Sequence, residues 1–194
     1  VKMIEYDIQK LLLSGESQSV EFKEAKNSFP KDGMKTICSF ANTNNGLLIL
    51  GVSENTKNKD FYISGVNNSD KVLDELYSLL NNPKKINRNV VNEESVQITN
   101  IKGKDIIIIP VNKVNYKEKP IYLNENIAST YFRQGTGDFR CSQEQINAML
   151  RDSAKESFDS TLVQDFSILD LDKETINRYR EKFDNINAEH PFSK

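Results

Sequence analysis

The stretch Leu47-Leu48-Ile49-Leu50-Gly51-Val52 contains no polar side chain. A strand with one wet face alternates polar and apolar residues, so an unbroken apolar run marks a strand covered on both faces. The rest of the chain must supply that cover. Ile4, Ile8, Leu11 and Leu12 fall on one helical stripe, which ends at Ser14-Gly15 with Gly15 as its terminator. After Pro30 and Asp32, the spacing of Met34, Ile37, Cys38 and Ala41 predicts a second helix, followed by the turn letters Asn42-Thr43-Asn44-Asn45-Gly46. A third helix is expected over 70–80, with Val72, Leu73, Leu76, Leu79 and Leu80 inward and Pro83 beyond its end.

Strand signals lie between and after these helices. Val20 and Phe22 alternate with Glu21 and Lys23, and 61–63 reads as a shorter strand. Residues 95–101 and 106–111 flank Lys102-Gly103-Lys104-Asp105, which reads as a hairpin turn. Further strands are expected at 120–123 and 129–133. Ser142-Gln143-Glu144-Gln145 has the form of a capping box and opens a helix carrying Ile146, Met149 and Leu150. Residues 151–168 read as a linker, and 170–183 as a last helix capped at Asp170 or Asp172. Helices and strands mix without strict βαβ repetition. This predicts an α+β domain over 1–150 rather than a doubly wound sheet, and a linker with a C-terminal helix over 151–194. The start at Val1 and the stop soon after a helix-like segment are what a fragment of a longer protein would show.

Composition removes several function classes. Of 194 residues, 26 are Lys or Arg and 28 are Asp or Glu, so a uniformly basic nucleic-acid binder is excluded and any such surface must be local. Residues 1–150 carry 19 basic and 18 acidic side chains, and 151–194 carry 7 and 10, which places the acidic excess in the tail. The single histidine, His190, leaves no Ser-His-Asp, Cys-His or His-rich zinc chemistry. Cys38 and Cys141 have no CxxC spacing and read as buried small hydrophobes of a reduced cytoplasm, the expected location. No apolar run approaches the roughly 18 residues of a membrane span, no signal peptide is seen and no membrane partner is expected. No P-loop motif occurs, which argues against an ATPase.

What chemistry remains rests on carboxylates and lysines. Glu21 and Lys23 share one face of their strand, and Glu16 reaches it only from a bent loop. A carboxylate and an ammonium side by side match the E-x-K element of metal-dependent nucleases, where the acid holds Mg²⁺ or Mn²⁺ and the lysine attends the phosphate or the water. The same letters also serve as an ion pair on a solvated strand face. Glu54, just past the apolar strand, could complete a three-carboxylate site, or simply be a loop acid. Tyr131-Phe132-Arg133 before Gly135-Thr136-Gly137 can stack on a base and approach a phosphate, or form a plain hairpin. Between Lys84 and Lys119 lie eight basic residues, including Lys113 and Lys117, against four acidic ones.

Taken in order, Gly15-Glu16-Ser17, Val20-Glu21-Phe22-Lys23, Ser39-Phe40-Ala41-Asn42-Thr43, Leu48-Ile49-Leu50-Gly51-Val52, Lys119-Pro120-Ile121-Tyr122 and Tyr131-Phe132-Arg133-Gln134-Gly135-Thr136 resemble the Schlafen AlbA_2 family. The resemblance spans about residues 8–150. It implies an α+β nucleic-acid-binding domain with a mixed, mostly antiparallel sheet flanked by helices, for DNA or RNA, within a bacterial transcriptional regulator. Together with the basic segment and the Tyr131-Phe132-Arg133 turn, it makes Lys23, Lys26, Lys113, Lys117, Lys119, Tyr131 and Arg133 the expected contacts. The alternative it implies is a divalent-metal-dependent endoribonuclease acting on structured RNA. Glu16, Glu21 and Glu54 would then be catalytic metal ligands for Mg²⁺ or Mn²⁺, with Lys23 beside them. The chain departs from the family pattern at Asn45-Gly46, where Gly-Gly is usual, and at Glu54, where Asp is usual. A protein-interaction role and a homodimer are both compatible with these letters.

Overall fold

The computed structural model describes residues 7–154 and 172–186, and the chain divides into two compact units, Val1–Lys155 and Glu156–Lys194. The first unit is built on a four-stranded mixed sheet. Its strands are β1 (Val20–Lys23), β2 (Gly46–Leu50), β5 (Gln97–Ile101) and β6 (Lys104–Val111), in the order β1-β2-β6-β5. Only β1 and β2 run parallel, joined by α2 (Gly33–Asn42); the other neighbours are antiparallel. Strands β3 (Val52–Glu54) and β4 (Phe61–Ile63) form a hairpin, and β7 (Tyr122–Leu123), β8 (Asn126–Gln134) and β9 (Gly137–Arg140) form a third sheet. Helices α1 (Ile8–Ser14), α3 (Ser69–Leu80) and α4 (Gln143–Ala154) complete this α+β unit.

The apolar strand is covered on both faces, as its letters require. Leu48 and Leu50 join Ile107 and Ile109 of β6 in a core with α2 and α3, while Ile49 faces the other way with Ile106, Ile108, Val20, Phe22 and Ile8 of α1. Glu21 pairs in register with Leu48 and Lys23 with Leu50, so both polar side chains of β1 point to the α2 side. Helix α2 itself lies between the main sheet and the β7–β8–β9 sheet. Nine of its ten residues are buried, which is why Thr36, Ser39 and Phe40 are enclosed as well as the predicted stripe.

The boundaries differ from expectation for local reasons. The apolar run breaks after Leu50, because Gly51 takes a φ of 90° and starts β3 in a new direction. The β5–β6 turn shortens to Lys102-Gly103, both at positive φ (52° and 79°), a primed turn that suits the twist of two strands. Residues 93–95, partly expected as strand, form a 3₁₀ turn capped by Asn92. The Ser142 capping box is present: the Gln145 N–H donates to Ser142 Oγ (3.2 Å) and the Ser142 N–H to Gln145 Oε1 (2.8 Å). Helix α4 continues through 151–154, the first part of the expected linker, whose remainder, 155–168, lies outside the described residues. In the second unit, α5 (Lys173–Ile186) is capped by Asp172, whose carboxylate accepts from the Glu174 and Thr175 N–H groups; Asp170 and Ile4 fall outside the described residues.

Gly51 and Gly103 separate two costs of a side chain. A Cβ on Gly51 would lie 3.1 Å from the Asp105 carbonyl oxygen and from Val66, whereas one on Gly103 would meet nothing within 4 Å. Both need positive φ. Gly103→Ala is expected to cost about 1–2 kcal/mol from backbone conformation alone, and Gly51→Ala more, in urea unfolding. Equal losses would contradict the close approach.

Candidate functional site

The face of β1 that turns toward α2 carries a cluster of charged groups centred on Arg133 of β8. The Arg133 side chain has no exposed surface. Its Nη2 donates to Glu21 Oε2 (2.7 Å) and to the carbonyls of Ser17 (2.9 Å) and Val20 (3.3 Å), and its Nη1 donates to Asp138 Oδ1 (3.1 Å). The guanidinium also lies 5.1 Å from the centre of the Phe40 ring. Asp138, on β9 across a two-residue turn, accepts from Thr36 Oγ1 (2.8 Å) and from Ser39 Oγ of α2. Two strands, one helix and the loop before β1 therefore meet at one cation.

Glu21 has both oxygens taken, Oε2 by Arg133 and Oε1 by Lys23 Nζ at 3.0 Å. Lys23 also bonds Asp32 Oδ2 (2.6 Å), just before α2. Burial pulls the Lys23 ammonium down, but its hydrogen bond to Asp32 and the charge of Glu21 outweigh this and leave it above its ordinary value. Strand β1 is an edge strand, and Glu16 covers part of that edge: its Oε1 accepts the Phe22 N–H (3.1 Å). Burial first, and the nearby charge of Glu21 second, raise the Glu16 carboxyl above its usual range.

Sequence reasoning expected Glu16, Glu21 and Glu54 to converge on a divalent cation. Glu16 and Glu21 are neighbours, but Glu54 is exposed at the end of β3, opposite Phe61 of β4. Among the described residues, no group of three or more His, Cys, Asp or Glu side chains is arranged to hold a metal ion. Glu21 faces Arg133 instead, because the register of β1 aims it inward beneath α2. Arg133, expected to contact nucleic acid, is enclosed as an ion-pair partner and does not reach the surface. The clue to its role is Asp138, which a Gly135-Thr136 turn places directly across from it; no sequence signal links it to Glu21.

The remaining predicted contacts are distributed as follows. Lys113 and Lys117 are exposed near the C-terminal end of α2, where the Val114 N–H bonds the Ala41 carbonyl. Lys119 is half-buried, with Nζ donating to the Asn42 carbonyl; burial, then the charge of Lys113, holds its ammonium below the ordinary value. Lys26 is exposed beside Glu24 (3.3 Å). Tyr131 is partly buried, with Lys35 and Arg140 at 5.3 and 5.8 Å from its ring centre. Sequence reasoning missed the roles of Asn42 and Thr43. Asn42 Nδ2 donates to the Ile121 and Tyr131 carbonyls, its Oδ1 accepts the Ile121 N–H, and Thr43 Oγ1 accepts the Arg133 N–H (2.8 Å). Cys38 is buried, and burial pushes its thiol up to about 12, consistent with a packing role.

With this geometry in place, the comparisons locate the chain. The family model described as Schlafen, AlbA_2 matches residues 16–142, and the chain belongs to that family. A second model, Domain of unknown function (DUF8451), matches residues 147–194. The solution structure of the N-terminal domain of a RecG-related protein from Nitrosomonas europaea, described as related to ATP-dependent DNA helicases, is 27% identical. Its TM-score is 0.53, over 70% of this chain and 90% of that one. The DIP2311 protein from Corynebacterium diphtheriae is more remote, at 17% identity and a TM-score of 0.45 over 89% of this chain and 30% of that one. No curated protein is significantly similar.

Two expected outcomes follow from the charge cluster. Arg133→Met leaves the enclosed Asp138 carboxylate without a cation and Glu21 with Lys23 alone, and should cost about 3–5 kcal/mol in urea unfolding; a loss below about 1 kcal/mol would contradict a structural role. Glu16 is the second. A carboxyl raised on folding binds more protons in the native state, so native stability declines as pH rises from the ordinary carboxylate range through the raised value and is level above it. Glu16→Gln keeps an acceptor for the Phe22 N–H and removes the charge. It should raise Tm at pH 7 and flatten this decline; an unchanged pH profile would contradict it.

Proposed function

We propose that this chain is a nucleic-acid-binding domain, for DNA or RNA, and that it serves as the binding part of a transcriptional regulator. Membership of the Schlafen, AlbA_2 family carries this reading. Likeness to a domain of a protein described as related to DNA helicases adds support. The charge layout is compatible: Glu21 and Asp138 are engaged inside the fold, whereas Lys113 and Lys117 stand exposed and Lys26 lies at the surface. Phosphate contacts by such lysines position a nucleic acid without reading its sequence.

Hydrolysis through a metal on Glu16, Glu21 and Glu54 is a weaker reading, because a metal at Glu21 would have to displace Arg133 or Lys23. The test of binding is affinity for short DNA and RNA across salt. Log K should fall linearly with log salt, at about −0.9 per phosphate neutralised on duplex DNA and about −0.7 on single strands. Lys113→Glu with Lys117→Glu should weaken binding and shallow that slope. No binding at low salt, or a flat response, would overturn the reading.

A further inference from the structure

A cavity of about 860 Å³ opens between the start of α2, the outer face of α3 and the β7–β8 turn, and meets the Arg133 cluster only at Asp32. Ligand sites commonly fall between about 300 and 1,000 Å³. Phe29, Met34, Leu79 and Leu123 give it an apolar floor, and Tyr131 forms a wall. Lys31, Lys35, Lys71 and Lys85 line it as well, with Asp32, Asp74 and Glu75 as the acids.

Three of those charges are already committed. Asp32 is held by Lys23 at 2.6 Å, and Glu75 accepts the Phe29 N–H at 2.7 Å and faces Lys71 at 4.0 Å. Lys31, Lys35 and Lys85 are left against Asp74, a net positive rim over an apolar floor. Lys35 is held to the wall, 5.3 Å from the Tyr131 ring centre. Asn124 and Ser78 line the same space, and an amide and a hydroxyl are groups that can meet the polar edge of a flat ring. An occupant must therefore combine an apolar planar surface, hydrogen-bonding edges and negative charge.

We propose that this groove takes an unstacked nucleotide of a single-stranded nucleic acid, its base on the Met34–Leu79–Leu123 floor and its phosphates on Lys31, Lys35 and Lys85. The proposal rests on the nucleic-acid reading above and gives it a location and a strandedness. A base in a duplex has both faces stacked and cannot enter, whereas a single strand presents its bases to such a surface.

The test uses the full chain with a fluorescent DNA strand of about twelve nucleotides carrying one 2-aminopurine, the same strand as RNA, the matching DNA duplex, and a doubly phosphorylated serine peptide. Lys31 and Lys85 are exposed, so Lys31→Glu with Lys85→Glu should fold normally, as circular dichroism will show. Wild-type binding should change the 2-aminopurine emission. The double variant should abolish that change and weaken single strands about tenfold or more while the duplex is much less affected. If the wild type binds no nucleic acid at low salt, the functional reading and this proposal fall together. If it binds but the variant weakens strand and duplex alike, or neither, or leaves the emission change intact, the groove proposal alone is overturned. It is overturned too if only the peptide loses affinity in the variant.

Discussion

The Arg133 guanidinium enters the interior with its side chain wholly enclosed, and the cost of taking that charge out of water sets terms for every element around it. One carboxylate is not enough for a planar group with donors on several sides. Glu21 meets it from β1, Asp138 from β9, and the Ser17 and Val20 carbonyls from the approach to β1. Each partner is then oriented by others: Lys23 on Glu21, and Thr36 and Ser39 on Asp138. The cluster thus fixes how the β7–β8–β9 sheet, α2 and the edge of the main sheet meet. Hydrophobic contact alone is non-directional and would leave that meeting less specified.

Helix α2 is the element on which this arrangement turns. Its predicted stripe of Met34, Ile37, Cys38 and Ala41 belongs to the core shared with Leu48 and Leu50. The other positions carry Thr36 and Ser39 to Asp138, and Phe40 beneath the guanidinium. At its C-terminal end the Asn42 amide bonds the backbone of Ile121 and Tyr131, and Thr43 bonds that of Arg133. A polar turn after a helix here works as a clamp on the third sheet. The Asn42-Thr43 part of the family pattern therefore has a structural reason in this chain.

The sequence discloses the layers more readily than the site, and the reason is the range of the interactions. The covered strand, the amphipathic helices, the Ser142 capping box and the β5–β6 hairpin depend on neighbours within a few residues, so periodicity and turn chemistry reveal them. The break at Gly51 escaped because a glycine within an apolar run is compatible with continuing the strand; only the turn to β3, with its positive φ, shows otherwise. Glu21 and Arg133 are 112 residues apart and meet across two sheets, a pairing that neither strand announces. Arg133 beside two aromatics reads as a surface contact. Its burial depends on Glu21 pointing inward, and that in turn on the parallel register of β1 with β2.

The same burial explains how a nearly neutral chain can present positive ground. Glu21 and Asp138 are spent on Arg133, Asp32 on Lys23, and Glu75 on the Phe29 backbone and Lys71. Glu21, Asp138 and Asp32 share two cations, Arg133 and Lys23, so most of their charge, though not all of it, is offset at short range. Lys31, Lys35 and Lys85 face that groove without a comparable set of acids. What decides the potential over a binding surface is therefore which charges the fold leaves uncommitted. In this domain most acids near β1 and the start of α2 are drawn into structural pairs, and Lys31, Lys35 and Lys85 line the groove with Asp74 as the one acid left over.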